Sequence, residues 1–172
     1  MLKWVSIPEE YLNYLRDKGD SRIPYSDYGK DKFKPFFGVL FTIGNYAYVT
    51  QISHPQKRHI TMTEQPDFKK IHDGNRLLCV VNLNYMFPVP ISELEYIQYA
   101  DIEKYRSFKN EIEKSKYIHI LRKELQIINT RGLDVAAKSV YNNKYLFPES
   151  KLAKRCIDFR MLENLADKYK KE

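Results

Sequence analysis

The sequence predicts an α+β fold: a compact antiparallel β-sheet, extended by helices in the C-terminal half. Three observations carry this. Gly44-Asn45 lies between two apolar, aromatic runs, a two-residue hairpin signal with Gly in the first position. Leu77 to Leu83 is a second apolar run of strand length. From about Asp101 onward the apolar spacing becomes helical, and strands followed by helices is the α+β pattern. The 172 residues contain no internal repeat, low-complexity stretch or linker, so residues 1–172 read as a single domain.

The elements follow in order. Leu2 to Val5 is a short strand. Ser6-x-x-Glu9 reads as a capping box with Pro8 in the first turn of a helix; Tyr11, Leu12 and Leu15 share its face and Gly19 ends it. Residues 20–35 are charged, hold Pro24, Gly29 and Pro35, and take no regular structure. Phe37 to Ile43 and Tyr46 to Ile52 are the arms of the hairpin, with a type II′ turn expected from Gly44. The loop Ser53 to His59 follows. Leu77 to Leu83 is central in the sheet. Tyr85 to Pro90 holds two prolines and so is an edge strand or a bend. Leu94 to Tyr99 is another short strand. Tyr117, Ile120, Leu121, Glu124, Leu125 and Ile128 then mark one helix face, Leu133, Ala136, Ala137, Val140 and Tyr141 a second, and Phe159, Leu162, Leu165 and Tyr169 a terminal helix.

The composition bounds the function class. Net charge is +7, which attracts polyanions, either nucleic acid or an anionic membrane surface. From Lys32 to Thr63 there is no Asp or Glu, while Lys32, Lys34, Lys57 and Arg58 lie inside the window. No apolar run approaches the roughly 20 residues of a membrane span, and the N-terminus lacks a signal-peptide pattern. Cys79 and Cys156 have no CxxC spacing and read as reduced core thiols, so a cytoplasmic location is expected. Tyr25 and Tyr28 lie in a polar stretch; they either stack on bases of single-stranded RNA or pack their rings on the sheet.

Chemistry has few places to sit. His54, His59, His72 and His119 show no metal-ligand spacing, and no P-loop, GxGxxG, GxSxG or acidic cluster is present. No metal and no cofactor is expected. What remains is Ser53-His54-Pro55-Gln56-Lys57-Arg58-His59, at the end of a strand and inside the acid-free window. It is either a solvated polar turn or a catalytic loop on a rigid sheet. RNA can be cut without metal because its own 2′-OH attacks the adjacent phosphate. The protein must then assist removal of the 2′ proton, assist departure of the 5′ oxygen, and stabilise charge on the phosphate oxygens. His54 is suited to proton transfer, with an ordinary pKa of about 6.5. Lys34 and Lys57 are suited to the phosphate, and Ser53 to donating a hydrogen bond to it. The products would be a 2′,3′-cyclic phosphate and a 5′-hydroxyl.

Several stretches, in order, resemble one family. They are Lys34-Pro35-Phe36-Phe37-Gly38-Val39; Ile52-Ser53-His54-Pro55-Gln56-Lys57; Val81-Asn82-Leu83-Asn84-Tyr85-Met86-Phe87-Pro88-Val89; Tyr117 to Leu125, then Ala137-Lys138 with Tyr141; and Cys156-Ile157-Asp158-Phe159 with Leu162-Glu163. Together they resemble the toxins of type III toxin–antitoxin systems, the ToxN/AbiQ endoribonucleases. The resemblance implies an antiparallel sheet or barrel related to MazF/Kid-type toxins, extended by C-terminal helices. It implies metal-independent, sequence-selective cleavage of cellular or phage RNA, and a role in growth arrest or phage defence. It also implies inhibition by a small pseudoknot antitoxin RNA processed from repeats, and a symmetric toxin–RNA assembly.

Two departures stand out. The family's active loop carries two hydroxyl residues before its proline and a lysine directly after. Here the second hydroxyl position is His54, and Gln56 precedes the first lysine, Lys57. Either His54 takes over proton transfer or the site is weakened. Lys34 carries over directly; Tyr28, or else Tyr25, stands for the family's upstream tyrosine. The candidate catalytic set is Ser53, His54, Lys57, Lys34 and Tyr28. The candidate RNA contacts are Tyr25, Lys30, Lys32, Gln56, Arg58, His59, Lys69 and Lys70.

Overall fold

A computed structural model describes residues 1–27 and 32–169. Strand β1 (Lys3–Ser6) leads into helix α1 (Glu9–Lys18). Then come β2 (Phe36–Gly38), β3 (Thr42–Ile43) and β4 (Tyr46–Ser53). Helix α2 (Lys57–Thr61), β5 (Phe68–Asp73), β6 (Arg76–Asn82), β7 (Phe87–Pro90) and β8 (Glu95–Tyr96) follow. A helical half, α3 (Glu111–Ile128), α4 (Leu133–Leu146), α5 (Lys151–Arg155) and α6 (Phe159–Lys168), ends the described chain.

The sheet runs β5-β6-β4-β2-β1-β8, with β3 and β7 both attached to β4. Every described pairing between these strands is antiparallel. Strand β4 is the hub. Its first half, Tyr46 to Val49, pairs with β7, and Tyr46 and Ala47 also pair with β3. Its second half pairs with β2 through Thr50 and Gln51, and with β6 through Ile52 and Ser53. The sheet thus hands over partners along one strand and delivers the end of β4 clear of the hairpin.

The predicted two-residue turn is present. Ile43 pairs with Tyr46, and Gly44 has φ +54°, which a side chain would resist. Asn45 is not at positive φ, so the φ signs are those of a type II′ turn. The first arm departs from the expected continuous strand. It divides into β2 and β3, and across the break Tyr48 still accepts from the Leu40 N–H while its own N–H reaches the Phe41 carbonyl, each at 2.9 Å.

Helices pack on the sheet around aromatic side chains. Trp4, Tyr11, Phe36, Phe37, Tyr48, Phe87 and Phe159 are all fully buried. Polar contacts at their edges fix the layers. The Trp4 indole N–H donates to the Leu121 carbonyl at 3.1 Å, and Tyr11 Oη to the Pro88 carbonyl at 2.7 Å. Tyr48 and Tyr141 both donate to one Glu163 oxygen, at 2.6 and 2.9 Å. Asn129 grips both backbone groups of Leu2, accepting its N–H at 2.7 Å and donating to its carbonyl at 3.0 Å. Gly19 closes α1 against α6: a Cβ there would stand 2.8 Å from Leu165 Cδ1 and 2.9 Å from Leu162 Cδ2.

Four local expectations are corrected. The Ser6-x-x-Glu9 capping box does not form; Pro8 occupies the N-cap without a side-chain bond, because Ser6 is committed to β1, paired with Glu95. The Ser53–His59 segment is not all loop, since α2 starts at Lys57. The strand expected over Leu94–Tyr99 shrinks to β8 and is followed by a 3-10 turn over Tyr99–Lys104. Strand β5 and helix α5 were not expected at all. Cys79 and Cys156 are buried free thiols, as read from their spacing. No described helix is long and apolar enough to cross a membrane.

Candidate active site

Register brings the first two candidates together. Phe36 pairs with Gln51, so Lys34, two residues before Phe36, runs beside the end of β4. The Gln51 side chain reinforces this. Its Nε2 donates to the Lys34 carbonyl at 3.0 Å and to the Tyr25 carbonyl at 2.7 Å, pinning both ends of the charged loop to one buried amide. The Lys34 N–H also donates to the Ser26 carbonyl at 2.8 Å.

Lys34 and His54 line one cavity of about 560 Å³. Lys32, Phe33, Pro35 and Ile52 complete its sheet side. The other wall is helical: Arg106, Tyr117, Ile120, Leu121 and Glu124. Exposed Lys32 and His54 mark the mouth, and buried Leu121 and Glu124 the floor. Partial burial, and then the Lys34 ammonium, push the His54 imidazole below its ordinary range. It is therefore neutral near pH 7 and able to take a proton. The cavity thus combines a neutral imidazole, two lysines and an arginine.

The remaining candidates are dispersed. Ile52 and His54 face the cavity, so Ser53 between them lies on the opposite side of the strand, and it does not line the cavity. Gln56 and Lys57 border a different cavity of about 320 Å³, with Pro55, Ile60, His72, Asn75 and Leu77. Arg58 is exposed on α2, and Lys69 is half-buried on β5. Tyr25 is half-exposed, with the Arg16 guanidinium 3.7 Å from its ring centre, so one ring face is occupied. Tyr28 and Lys30 lie outside the described residues.

Two candidate contacts also have roles within the fold. His59 is buried and serves the fold: its Nδ1 accepts the Gln56 N–H at 2.9 Å while the Gln56 side chain accepts from the His59 backbone N–H, a reciprocal cap on α2. Its ring also packs on Phe68, 5.5 Å between centres. Lys70 is similarly occupied, its Nζ donating to the Ile60 carbonyl near the end of α2 at 3.0 Å.

The helical wall was not recognised as part of the site. Tyr117 and Glu124 fall at core spacing, and Arg106 lies in a segment without periodicity. One signal was available: an acidic residue on an otherwise apolar helix face. Arg106 lies 4.3 Å from the Tyr117 ring centre and 3.5 Å from Glu113, yet its Nε is buried without a partner. Tyr117 donates to the Phe33 carbonyl at 3.2 Å, tying α3 to the segment before β2, and burial pushes its hydroxyl up to about 12. Glu124 is pushed up to about 7 by burial alone. Among the described residues no three His, Cys, Asp or Glu side chains cluster to hold a metal.

An antiparallel sheet backed by C-terminal helices, opening a cationic cleft with a histidine at its mouth, defines a basic protein built to meet a polyanion. Comparison with known proteins gives the family. The description "Toxin ToxN, type III toxin–antitoxin system" matches residues 3–167, and the chain belongs to that family. It is 24% identical over 143 residues to the endoribonuclease ToxN of Pectobacterium atrosepticum, covering 80% of this chain and 77% of that one. Its fold is similar to that of AbiQ, a lactococcal anti-phage endoribonuclease of a type III system, with TM-score 0.76 and 21% identity over 98% of both chains. It is also similar to a structure from work on a processed non-coding RNA that regulates a bacterial antiviral system. That match has TM-score 0.78 and 20% identity over 98% of this chain and 99% of the other. A third solved structure, from work on selective toxin inhibition by a non-coding RNA pseudoknot, matches with TM-score 0.75 and 23% identity over 99% of each chain.

Proposed function

We propose that this chain is an endoribonuclease toxin that cuts RNA without a metal ion at the cleft between the His54 loop and α3. The observation that carries the reading is the meeting of Lys34 and His54 at one cavity, in a member of a toxin family. In this mechanism neutral His54 takes the 2′-hydroxyl proton, and the freed oxygen attacks the adjacent phosphorus. The Lys34 ammonium steadies the charge that grows on the non-bridging oxygens. The P–O5′ bond breaks, leaving a 2′,3′-cyclic phosphate and a 5′-hydroxyl. Proton delivery to the departing oxygen falls to Tyr28, and Lys57, at the other cavity, holds a flanking phosphate. Lys32 and Arg58 hold flanking phosphates, with Ser53 and Gln56 donating hydrogen bonds along the strand.

The inhibitor proposed is a small pseudoknot RNA processed from repeats, held with the toxin in a symmetric assembly. The setting is cytoplasmic, with growth arrest or phage defence as the outcome. The test is incubation of the purified protein with single-stranded RNA in excess EDTA. Cleavage with cyclic-phosphate ends is expected, falling about a hundredfold in His54→Ala. Loss of cleavage on adding EDTA overturns the metal-free mechanism. RNA bound tightly but recovered intact reduces the protein to a basic RNA-binding module.

A further inference from the structure

We propose that the cavity seats one nucleobase of the RNA, and that the Glu124 carboxyl at its floor accepts a hydrogen bond from an N–H on the edge of that base. This rests on the cleft being the RNA site. The walls are mainly apolar and aromatic, including Phe33, Ile52, Tyr117 and Leu121, and about 560 Å³ holds a flat ring with its sugar. The exposed cation, Lys32, is at the mouth beside His54. A phosphate held there keeps its ribose near the mouth too, so the base is the part of a nucleotide that reaches the floor.

The floor asks for a donor. Glu124 is 7% exposed and has no hydrogen bond or ion pair with any described residue. Burial is the one cause raising its pKa, so no cation of the cleft compensates it. A carboxyl that lines a cleft with no partner among the described residues is open to one that arrives with the ligand. The Arg106 Nε, also buried and unpartnered, is the complementary donor for a ring nitrogen or carbonyl oxygen. Acceptor and donor on one apolar cleft are what reading a splayed-out base requires. Glu124 is in this role a specificity residue and takes no part in bond breaking.

The test uses the four ribonucleoside 5′-monophosphates, titrated separately into the whole protein and followed by amide chemical shifts, so it does not depend on cleavage. One base should bind roughly five-fold or more tightly than the weakest, the scale of a side chain reading a base edge. Glu124→Leu should bring the four affinities within about twofold, Glu124→Gln, whose amide oxygen still accepts, should keep part of the preference, and circular dichroism checks that both variants fold. Equal affinities in the unchanged protein, or a preference that survives Glu124→Leu, overturn the inference. Base-selective binding without RNA cleavage leaves it standing and overturns the cleavage reading instead. Where cleavage occurs, Glu124→Leu should lose base preference at one position of the cut site and keep it elsewhere. A uniform loss of rate with an unchanged cut site also overturns the inference, because it assigns Glu124 to packing or chemistry.

Discussion

Gln51 Nε2 donates to the Lys34 carbonyl at 3.0 Å, so the lysine of the candidate site is positioned by a side chain from the neighbouring strand. The same nitrogen holds the Tyr25 carbonyl at 2.7 Å. One amide thus holds two backbone points of the segment between α1 and β2.

Gln51→Leu removes both anchors and leaves two carbonyls short of a partner. A stability loss of about 2 kcal/mol is expected in urea unfolding. RNA cleavage should fall about tenfold, because a displaced phosphate-binding cation weakens transition-state contacts. Binding of RNA should change much less, since exposed cations elsewhere are untouched. Equal losses in binding and cleavage would assign the amide to general packing.

His54 provides a pH test. Partial burial, and then the Lys34 charge, lower the imidazole pKa, so the low-pH limb of the cleavage profile should fall below the ordinary histidine value. Lys34→Met removes that charge and should move the limb to higher pH while the maximal rate drops. An unmoved limb would show that the group titrating is not His54.

Glu124 makes stability fall as pH rises. Its folded pKa is about 7 against an ordinary 4.5, so between these values the native state keeps a proton that the unfolded chain has lost. The contribution is favourable below about pH 4.5 and is lost as pH passes about 7. Glu124→Gln should therefore match the parent near pH 4 and exceed it by up to about 3 kcal/mol at pH 8. Urea unfolding at the two pH values measures the difference.

Asp67 and Arg155 join β5 to the helical half. The guanidinium meets the carboxylate through two bonds, 2.7 and 2.6 Å, with Asp67 almost fully buried. Asp67→Ala is expected to cost about 2 kcal/mol, since it breaks a two-pronged ion pair with one half-open partner. Thermal melting reads the loss.

Much of the frame was legible from residues. Gly44-Asn45 located the hairpin, Leu77 to Leu83 the inner strand, and three apolar faces the long helices. Strand β5 was hidden because its two inward residues, Phe68 and Ile71, do not alternate, and its register shifts between Ile71 and His72. Helix α2 was hidden because its reciprocal cap uses Gln56 and His59 rather than the usual hydroxyl and carboxylate. Of the site, Lys34 and His54 were legible from the acid-free window and the loop after the strand. What brings them together, the Phe36–Gln51 pairing, was not, because the register set by the two-residue turn changes across the break between β2 and β3. The α3 wall was not legible either, because helical spacing makes a cavity-lining Tyr117 look the same as a core one.

The paired grip of Asn129 on Leu2, with the Trp4 indole on the Leu121 carbonyl, has a consequence for the order of events during synthesis. Strand β1 precedes α3 in the chain, yet the hydrogen bonds at Leu2 and from the Trp4 indole wait for residues more than a hundred positions later. The wall carrying Tyr117 and Glu124 arrives with the same helix. A nascent chain that extends only as far as β8 therefore has β1 paired on both sides but not latched at Leu2 and Trp4, and half a cleft. The cleft is complete only once α3 has been made.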